Sequence, residues 1–399
     1  MRPLLCLALI GAAGACSNIL VTPAASADGT ALVGDNDDSS KRHGLVAHFA
    51  ASDHAPGAMR EVWDFEKGTL NGLIPEPNHT YNVISHGNEF GVVIAETTHG
   101  GISKLTGGNG TIMDYGSLIM TTLQRSRTAR EAIKTIAALC ESHGYASSME
   151  GFSISDGDES WYMELIGKGD FGKGLLYVAL KVPDGHFVAN ANQARITSFL
   201  PCTDESTCLM APDVTSFAIA RGLWNSSATD PAFSFSDVYD PLTPTGARFC
   251  EARVWYIYRM LAHPDDFDAD YYLPYAQGFN LTRRMPLFVR PKRKLSRADV
   301  HAALSSKYEG SWLDPTADVG AGAEASPYRD NGLSYQVGVL WKLAALGRVV
   351  GRWLLMASDC FRSLLMACVR HWPSQAAAGA ADAPRPTHHA SRLTPALLP

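Results

Sequence analysis

Apolar and polar positions along the chain follow two different periods. Ser17–Thr22 (SNILVT) and Thr30–Val33 read as strands, and the turn-forming stretch Ala24–Gly29 lies between them. A hairpin starting there would hold residue 16 at the end of a rigid sheet. Shorter apolar runs at Tyr81–Ser85 and Gly91–Ala95 are followed by Trp161–Ile166, Leu175–Val182 and Phe187–Ala191. Pro183-Asp184-Gly185 is the turn expected to join the last two. The helical period is clearest after Thr128, where Thr-Ala-Arg-Glu has the spacing of a capping box. Ile133, Ile136, Ala137 and Cys140 form the apolar stripe, and Gly144 suits the C-cap. Hairpins alternating with amphipathic helices predict an α+β layered protein.

The two ends of the chain depart from this pattern. Arg2, the apolar run Leu4–Ile10 and the small residues Ala13-Gly14-Ala15 have the order of a secretory signal with a cut after Ala15, and the run is too short to span a bilayer. Residues 1–15 are therefore read as a signal peptide. From about Val337 the chain turns Leu-, Ala- and Arg-rich, and 375–399 is rich in Ala, Pro and His. Residues 337–372 have the spacing of a basic amphipathic helix carrying Arg348, Arg352, Arg362 and Arg370. A surface helix, or sequence foreign to the ancestral fold, is favoured over membrane-surface binding. Residues beyond the helix have the composition of a disordered tail.

Composition narrows the class. The 399 residues are 46% hydrophobic and 19% charged, an ordinary globular balance, and a net charge of −6 gives no reason to expect nucleic acid. Of eight cysteines Cys6 lies in the leader, so seven remain, and an odd number in a secreted chain points to an unpaired thiol. Cys202 and Cys208 are spaced to close a small disulfide loop, and sequons begin at Asn78, Asn109, Asn225 and Asn280. The thirteen histidines are scattered, and His48 and His54 lack a metal-binding constellation. Asp265–Asp270 lacks the glycine and closing glutamate of a calcium loop. No phosphate loop or serine elbow occurs.

Cleavage after Ala15 would make Cys16 the N-terminal residue. A thiol and a free α-amine on one residue bring nucleophile and base together, because an amine with a pKa near 8 can take the thiol proton. From these residues alone the alternatives stay open: Cys16 is a catalytic nucleophile, a residue that happens to follow a cleavage site, or a lipoprotein cysteine. Ala13 disfavours the last, since a lipobox usually has a bulkier aliphatic residue there.

A series of ordered blocks changes that balance. They are CSNILVTPAASADGTALVGDNDDS from Cys16, NEFGVVIAETT from Asn88, GYASSMEGFSISDGDESWYMELIGKG from Gly144, PDGHFVANANQARI from Pro183, GARFCEAR from Gly246 and VGAGAEASPYR from Val319. Together they make residues 16–335 resemble the dipeptidase A and secernin relatives among N-terminal-nucleophile hydrolases. The resemblance implies a four-layer αββα sandwich and hydrolysis of dipeptides by a cysteine nucleophile, without cofactor or metal. It also implies a small peptide as the partner, no stable membrane insertion and a secreted or lysosomal location. A homo-oligomer is compatible with it. Relatives continue well past Arg329, so the domain is expected to be incomplete at its C-terminal end, with 336–399 divergent.

Residue roles follow from the same resemblance. Asn192, at the end of the Phe187–Ala191 strand, falls where an asparagine of the wider branch (penicillin V and bile salt amide hydrolases) supplies the oxyanion hole. Asp38 falls near an aspartate that orients the nucleophile, while Asp35 stands where some relatives carry a cation. Asn36, Glu96 and Thr97 are expected substrate contacts. Arg195 is expected either to pair a dipeptide carboxylate or to form a structural salt bridge. An amide hydrolase for other small N-acyl substrates, and a non-catalytic secernin-like protein, are the competing readings.

Overall fold

A computed structural model describes residues 16–37 and 46–314. The hairpin at the start forms as expected, from β1 (Ser17–Val21) and β2 (Leu32–Asn36) around a short 3-10 turn at Pro23–Ala25. An exposed hairpin of β3 (Met59–Trp63) and β4 (Leu70–Pro75) follows, then β5 (Val93–Thr98). Helices α1 (Tyr115–Leu123) and α2 (Ala129–His143) precede β6 (Glu150–Ser155), β7 (Ser160–Gly167), β8 (Leu175–Lys181), β9 (Phe187–Asn190) and β10 (Cys208–Met210). Among the later helices, α3 (Ala252–Leu261) and α4 (Arg297–Leu304) matter for the site.

Local chemistry explains the boundaries of α2. The Thr128 side chain accepts from the Glu131 N–H, but the Glu131 carboxylate returns its bond to the Arg127 N–H at 2.7 Å, one residue earlier than a closed capping box requires. Gly144 ends the helix at φ 73°, a conformation that costs glycine little. Ile133, Ile136 and Cys140 are buried, and Leu139 rather than the half-buried Ala137 completes the stripe. Cys202 and Cys208 form a disulfide with Cα atoms 5.5 Å apart.

Two antiparallel sheets organise the core. The smaller has the order β9–β1–β2, so β1 is its central strand. The larger has eight strands: β10, β8, β7, β6 and β5, then the two-residue strands Gly87–Asn88, Val83–Ile84 and His48–Phe49. The Pro183–Gly185 turn does not close a hairpin. It carries the chain out of the larger sheet at β8 and into the smaller one at β9. Turn residues alone report a reversal, and the partner strand is decided by which apolar faces must meet.

Strand alternation sorts the apolar side chains into three cores. Ile19, Val21, Leu32, Phe187 and Ala189 pack with Val254, Tyr258 and Leu261 of α3 and with Val300 and Leu304 of α4. The opposite faces, Leu20, Val33 and Val188, pack with Val93, Ala95, Ile166, Leu176 and Val178 of the larger sheet. That sheet's far side, including Ile94, Phe152, Trp161 and Met163, packs with Leu118 of α1 and Ile133 and Ile136 of α2. Gly34 allows α4 to lie close, since a Cβ there would stand 2.5 Å from a Val300 methyl. Helix and sheet content together make the fold α+β, as expected.

Candidate active site

Register brings the sequence-distant residues of the site together. Between β1 and β2, Leu20 faces Val33 and Asn18 faces Asp35. Between β1 and β9, Leu20 faces Val188 and Asn18 faces Asn190. Just past the paired residues, Cys16 precedes β1, Asp37 follows β2 with a carboxylate oxygen near the thiol, and Asn192 follows β9, joined to Cys16 through Arg253. The paired side chains share the face turned toward the larger sheet. It passes from an apolar row (Leu20, Val33, Val188) through an amide and carboxylate row (Asn18, Asp35, Asn190) to the row holding the thiol.

The thiol lies in acidic surroundings. Cys16 is 4% exposed, and its Sγ and one carboxylate oxygen each of Asp37 and Glu96 lie within 4.8 Å of one another. Glu150 is fully buried against Glu96, and burial together with that neighbouring carboxylate raises its pKa well above the ordinary range.

Arg253, at the start of α3, ties the row together. Its Nη1 donates to the Cys16 carbonyl at 2.5 Å and to Ser17 Oγ at 2.9 Å, and its Nη2 donates to Asn192 Oδ1 at 2.7 Å. Nε donates to the Phe249 carbonyl inside a π-helical turn, Ala247–Glu251, that precedes α3. Such turns recur at functional sites because they re-aim the residues after them. Asn192 has φ 54°, a left-handed conformation that asparagine tolerates better than most residues. Its Nδ2 donates to the Thr98 carbonyl at 2.6 Å. With Oδ1 committed to Arg253, the amide orientation is fixed, and the second Nδ2 hydrogen has no protein acceptor among the described residues.

The middle row is a hydrogen-bonded layer between the sheets. Asn18 Nδ2 donates to Asp35 Oδ1 at 2.6 Å and to the Glu96 carbonyl at 2.7 Å. Thr97 Oγ1 donates to Asn190 Oδ1 at 3.0 Å and lies 3.1 Å from His99 Nε2. The Thr97 hydroxyl has one proton and spends it on Asn190, so Nε2 is the protonated nitrogen of His99. Burial holds His99 neutral, with its pKa pushed down to about 3. Gly151 makes room for the ring, since a Cβ there would sit 2.7 Å from Nε2.

The expected site residues separate into those this face gathers and those it does not. Cys16, Asn192, Glu96 and Thr97 are gathered. Asp38 lies outside the described residues, and Asp37 is the acid beside the thiol. Asn36 is turned the other way: its Nδ2 donates to the Leu304 carbonyl of α4 at 2.9 Å, a packing contact rather than a substrate contact. Arg195 takes the salt-bridge alternative. Fully buried, it pairs with Glu251 at 3.3 Å and donates to the Ala189 and Pro286 carbonyls and the Tyr258 hydroxyl, so four of its five N–H donors are spent on structural partners. Glu164 holds this segment by accepting from the Arg195 and Ile196 N–H groups and the Tyr162 hydroxyl. Sequence reasoning missed Asp37, Arg253 and Glu150. Strand parity counted from Val33 would have found Asp37, whereas Arg253 and Glu150 lie inside sequence blocks (GARFCEAR and GYASSMEGF) whose local spacing assigns neither a role.

Comparison with known proteins adds an independent line. The family model described as peptidase family C69 matches residues 54–340. A dipeptidase of Bifidobacterium longum is 23% identical over 355 residues, covering 81% of this chain and 64% of the relative. A probable dipeptidase of Salmonella dublin is 25% identical over 324 residues, 76% of this chain and 69% of the relative. Dipeptidase A of Lactobacillus helveticus is 24% identical over 254 residues, 62% of this chain and 48% of the relative. The chain thus spans about two thirds or less of the length of these relatives.

Proposed function

The chain belongs to peptidase family C69, and on that premise we propose that it is a dipeptidase whose nucleophile is the thiol of Cys16. The observation that carries the reading is the row of three: a buried cysteine at the end of the central strand, with an acid on one neighbouring strand and an oriented amide on the other. The dipeptidase names of the relatives support the substrate class. The helix and sheet faces that meet in the three cores support an αββα N-terminal-nucleophile sandwich.

Cleavage between Ala15 and Cys16 releases the α-amine. That amine takes the thiol proton, and the thiolate attacks the peptide carbonyl carbon. The free Nδ2 hydrogen of Asn192 donates to the oxygen that becomes negative. The leaving amine departs with the proton held by the α-ammonium, leaving a thioester on Cys16. Water, deprotonated by the same amine, hydrolyses the thioester and returns the thiol. Arg253 keeps the Cys16 carbonyl and the Asn192 amide in one frame, so nucleophile and oxyanion donor cannot drift apart.

The signal-like leader, which lies outside the described residues, supports passage through the secretory route to a secreted or lysosomal destination. Exposed asparagines at three sequons, Asn78, Asn109 and Asn225, suit glycosylation there. Among the described residues no helix is long and apolar enough to cross a membrane. The test is N-terminal sequencing of the purified protein with a dipeptide hydrolysis assay. A Cys16 start and turnover abolished by alkylating that thiol are expected. Hydrolysis by a chain whose residues 1–15 remain attached would refute the proposal.

A further inference from the structure

Three stretches of chain meet at the Asn192 amide. The first is its own loop, which follows β9. The second, at the end of β5, supplies the Thr98 carbonyl that accepts from Nδ2. The third runs from the short helix Phe235–Tyr239 through the π-helical turn into α3 and supplies Arg253, which donates to Oδ1. Asn192, Gly101 and Asp240 all lie outside the strands, so no sheet ladder fixes these stretches against one another. Asn192 itself, at φ 54°, holds a backbone conformation that persists where its surroundings over-determine it.

One buried carboxylate joins the three stretches. Asp240 Oδ1 accepts from the Gly101 N–H at 2.8 Å, three residues past Thr98. Its Oδ2 accepts from Gln193 Nε2 at 2.7 Å and from the Ala194 N–H at 2.9 Å, the two residues that follow Asn192. The Asp240 carbonyl also takes Gln193 Nε2, at 2.8 Å, and its backbone continues toward Arg253. An oxyanion donor must stand within hydrogen-bond reach of the oxygen that becomes negative, and a shift of about 1 Å can cost about 10²-fold in rate. We infer that Asp240 is a positioning residue for the reaction, setting the Asn192 amide against the carbonyl under attack and acting on turnover through that amide. This rests on the reading of Asn192 as oxyanion donor given above.

The test is a double-mutant cycle on the purified full chain. Steady-state hydrolysis of alanyl-alanine is measured for the wild type, Asp240→Asn, Asn192→Ala and the double variant, with a melting temperature for each. Asp240→Asn is close to isosteric, and it turns one accepting oxygen into an N–H that repels the donor facing it. It should lower kcat by about tenfold or more while KM changes less than about twofold, because the charge on the oxyanion exists only in the transition state. In the Asn192→Ala background the same substitution should change kcat by less than about twofold, since residues that act as a unit are not additive. Gln193→Met removes the amide tie and leaves the carboxylate in place, so it serves where Asp240→Asn folds poorly. It should lower kcat by about threefold or more, again only while the Asn192 amide is present. An equal fall in kcat in both backgrounds, an effect confined to KM, or a kcat unchanged by Asp240→Asn overturns the inference and leaves the oxyanion reading standing. A wild-type kcat in Asn192→Ala overturns the oxyanion reading, and the inference falls with it.

Discussion

The space between the two sheets has two ends built from the same strands by opposite rules. At one end Leu20, Val33 and Val188 meet Val93, Ala95 and Val178, all buried and all apolar. Four residues back along β1, roughly 13 Å at strand spacing, stand Cys16 and its neighbours. There Asn18, Thr97, Asn190 and Asn192 cross between the sheets through hydrogen bonds of 2.6 to 3.0 Å. The apolar end gains stability from area removed from water and needs only shape and volume. The polar end gains little net free energy, since each bond replaces one with water, but it fixes direction. The contrast teaches that one sheet pair can divide its labour along the strand, with adhesion at one end and orientation at the other.

If that division is real, substitutions at the two ends should affect different observables. The largest effect is expected at Cys16. Cys16→Ser puts a hydroxyl of much higher pKa at the position of the proposed nucleophile, and hydrolysis should fall by about 10³-fold or more with the melting temperature near wild type. Retained activity would sink the mechanism. Leu20→Ala should do the reverse, costing about 2–5 kcal/mol in denaturant unfolding through the cavity it leaves, with turnover per folded molecule preserved. A Leu20→Ala protein of unchanged stability but poor turnover would mean that the apolar end also positions the chemistry.

Much of this was legible in the chain and some of it was not. The β1–β2 hairpin, α2 and the runs that became β7, β8 and β9 are long and strongly periodic, so their type could be read directly. The two-residue strands between His48 and Asn88 are too short to show a period. In α3 (ARVWYIYRML) every residue but Arg259 and Met260 is buried, so no polar face marks it as a helix. Cys16 and Asn192, flanking β1 and β9, were expected at the site because blocks of sequence carried them. Asp37 and Glu150 depend on which strands lie side by side, and Arg253 depends on a helix crossing behind the sheet. Parity from Val33 gives the face of Asp37, but the neighbours of Glu150 and Arg253 are not encoded within ten residues of either side chain. Asn36 and Arg195 show the converse, since both sit in the right block and both point away from the thiol.

Asn192→Ala tests the polar end with less force than removing the nucleophile. Deleting one oxyanion donor typically lowers turnover about 10²–10³-fold, with a smaller effect on binding because the charge it stabilises appears only in the transition state. Removing the amide also leaves an Arg253 donor and the Thr98 carbonyl to find water, so a modest stability loss is expected. An effect confined to KM would reassign Asn192 to substrate binding and blur the division between the two ends.

The smallest effect concerns pH, and it separates the ends because only the polar part of the layer holds buried carboxyls. Desolvation raises Glu164 from 4.5 to about 7, outweighing the bonds it accepts from the Arg195 and Ile196 N–H groups and the Tyr162 hydroxyl. Glu150 is raised as well, by burial and by Glu96. In the unfolded chain such groups titrate near 4.5, so between that value and the folded one the native state holds the extra proton. The stability these groups contribute is fully present below about pH 4.5 and declines as pH rises through 7, with a slope of up to about 1.4 kcal/mol per pH unit for one proton. Glu164→Gln keeps a side-chain oxygen for the two N–H donors and removes the titration. Unfolding measured at pH 5 and pH 8 should therefore show a smaller difference in the variant than in the wild type. The depressed acids Glu159 and Asp266, each near 2, lose their contribution below this window and do not contaminate the comparison. Leu20→Ala should leave the pH difference as it is in the wild type, because its row carries no proton. Equal pH differences in wild type and Glu164→Gln would show that Glu164 stays ionised in the folded state, with its backbone donors prevailing over burial.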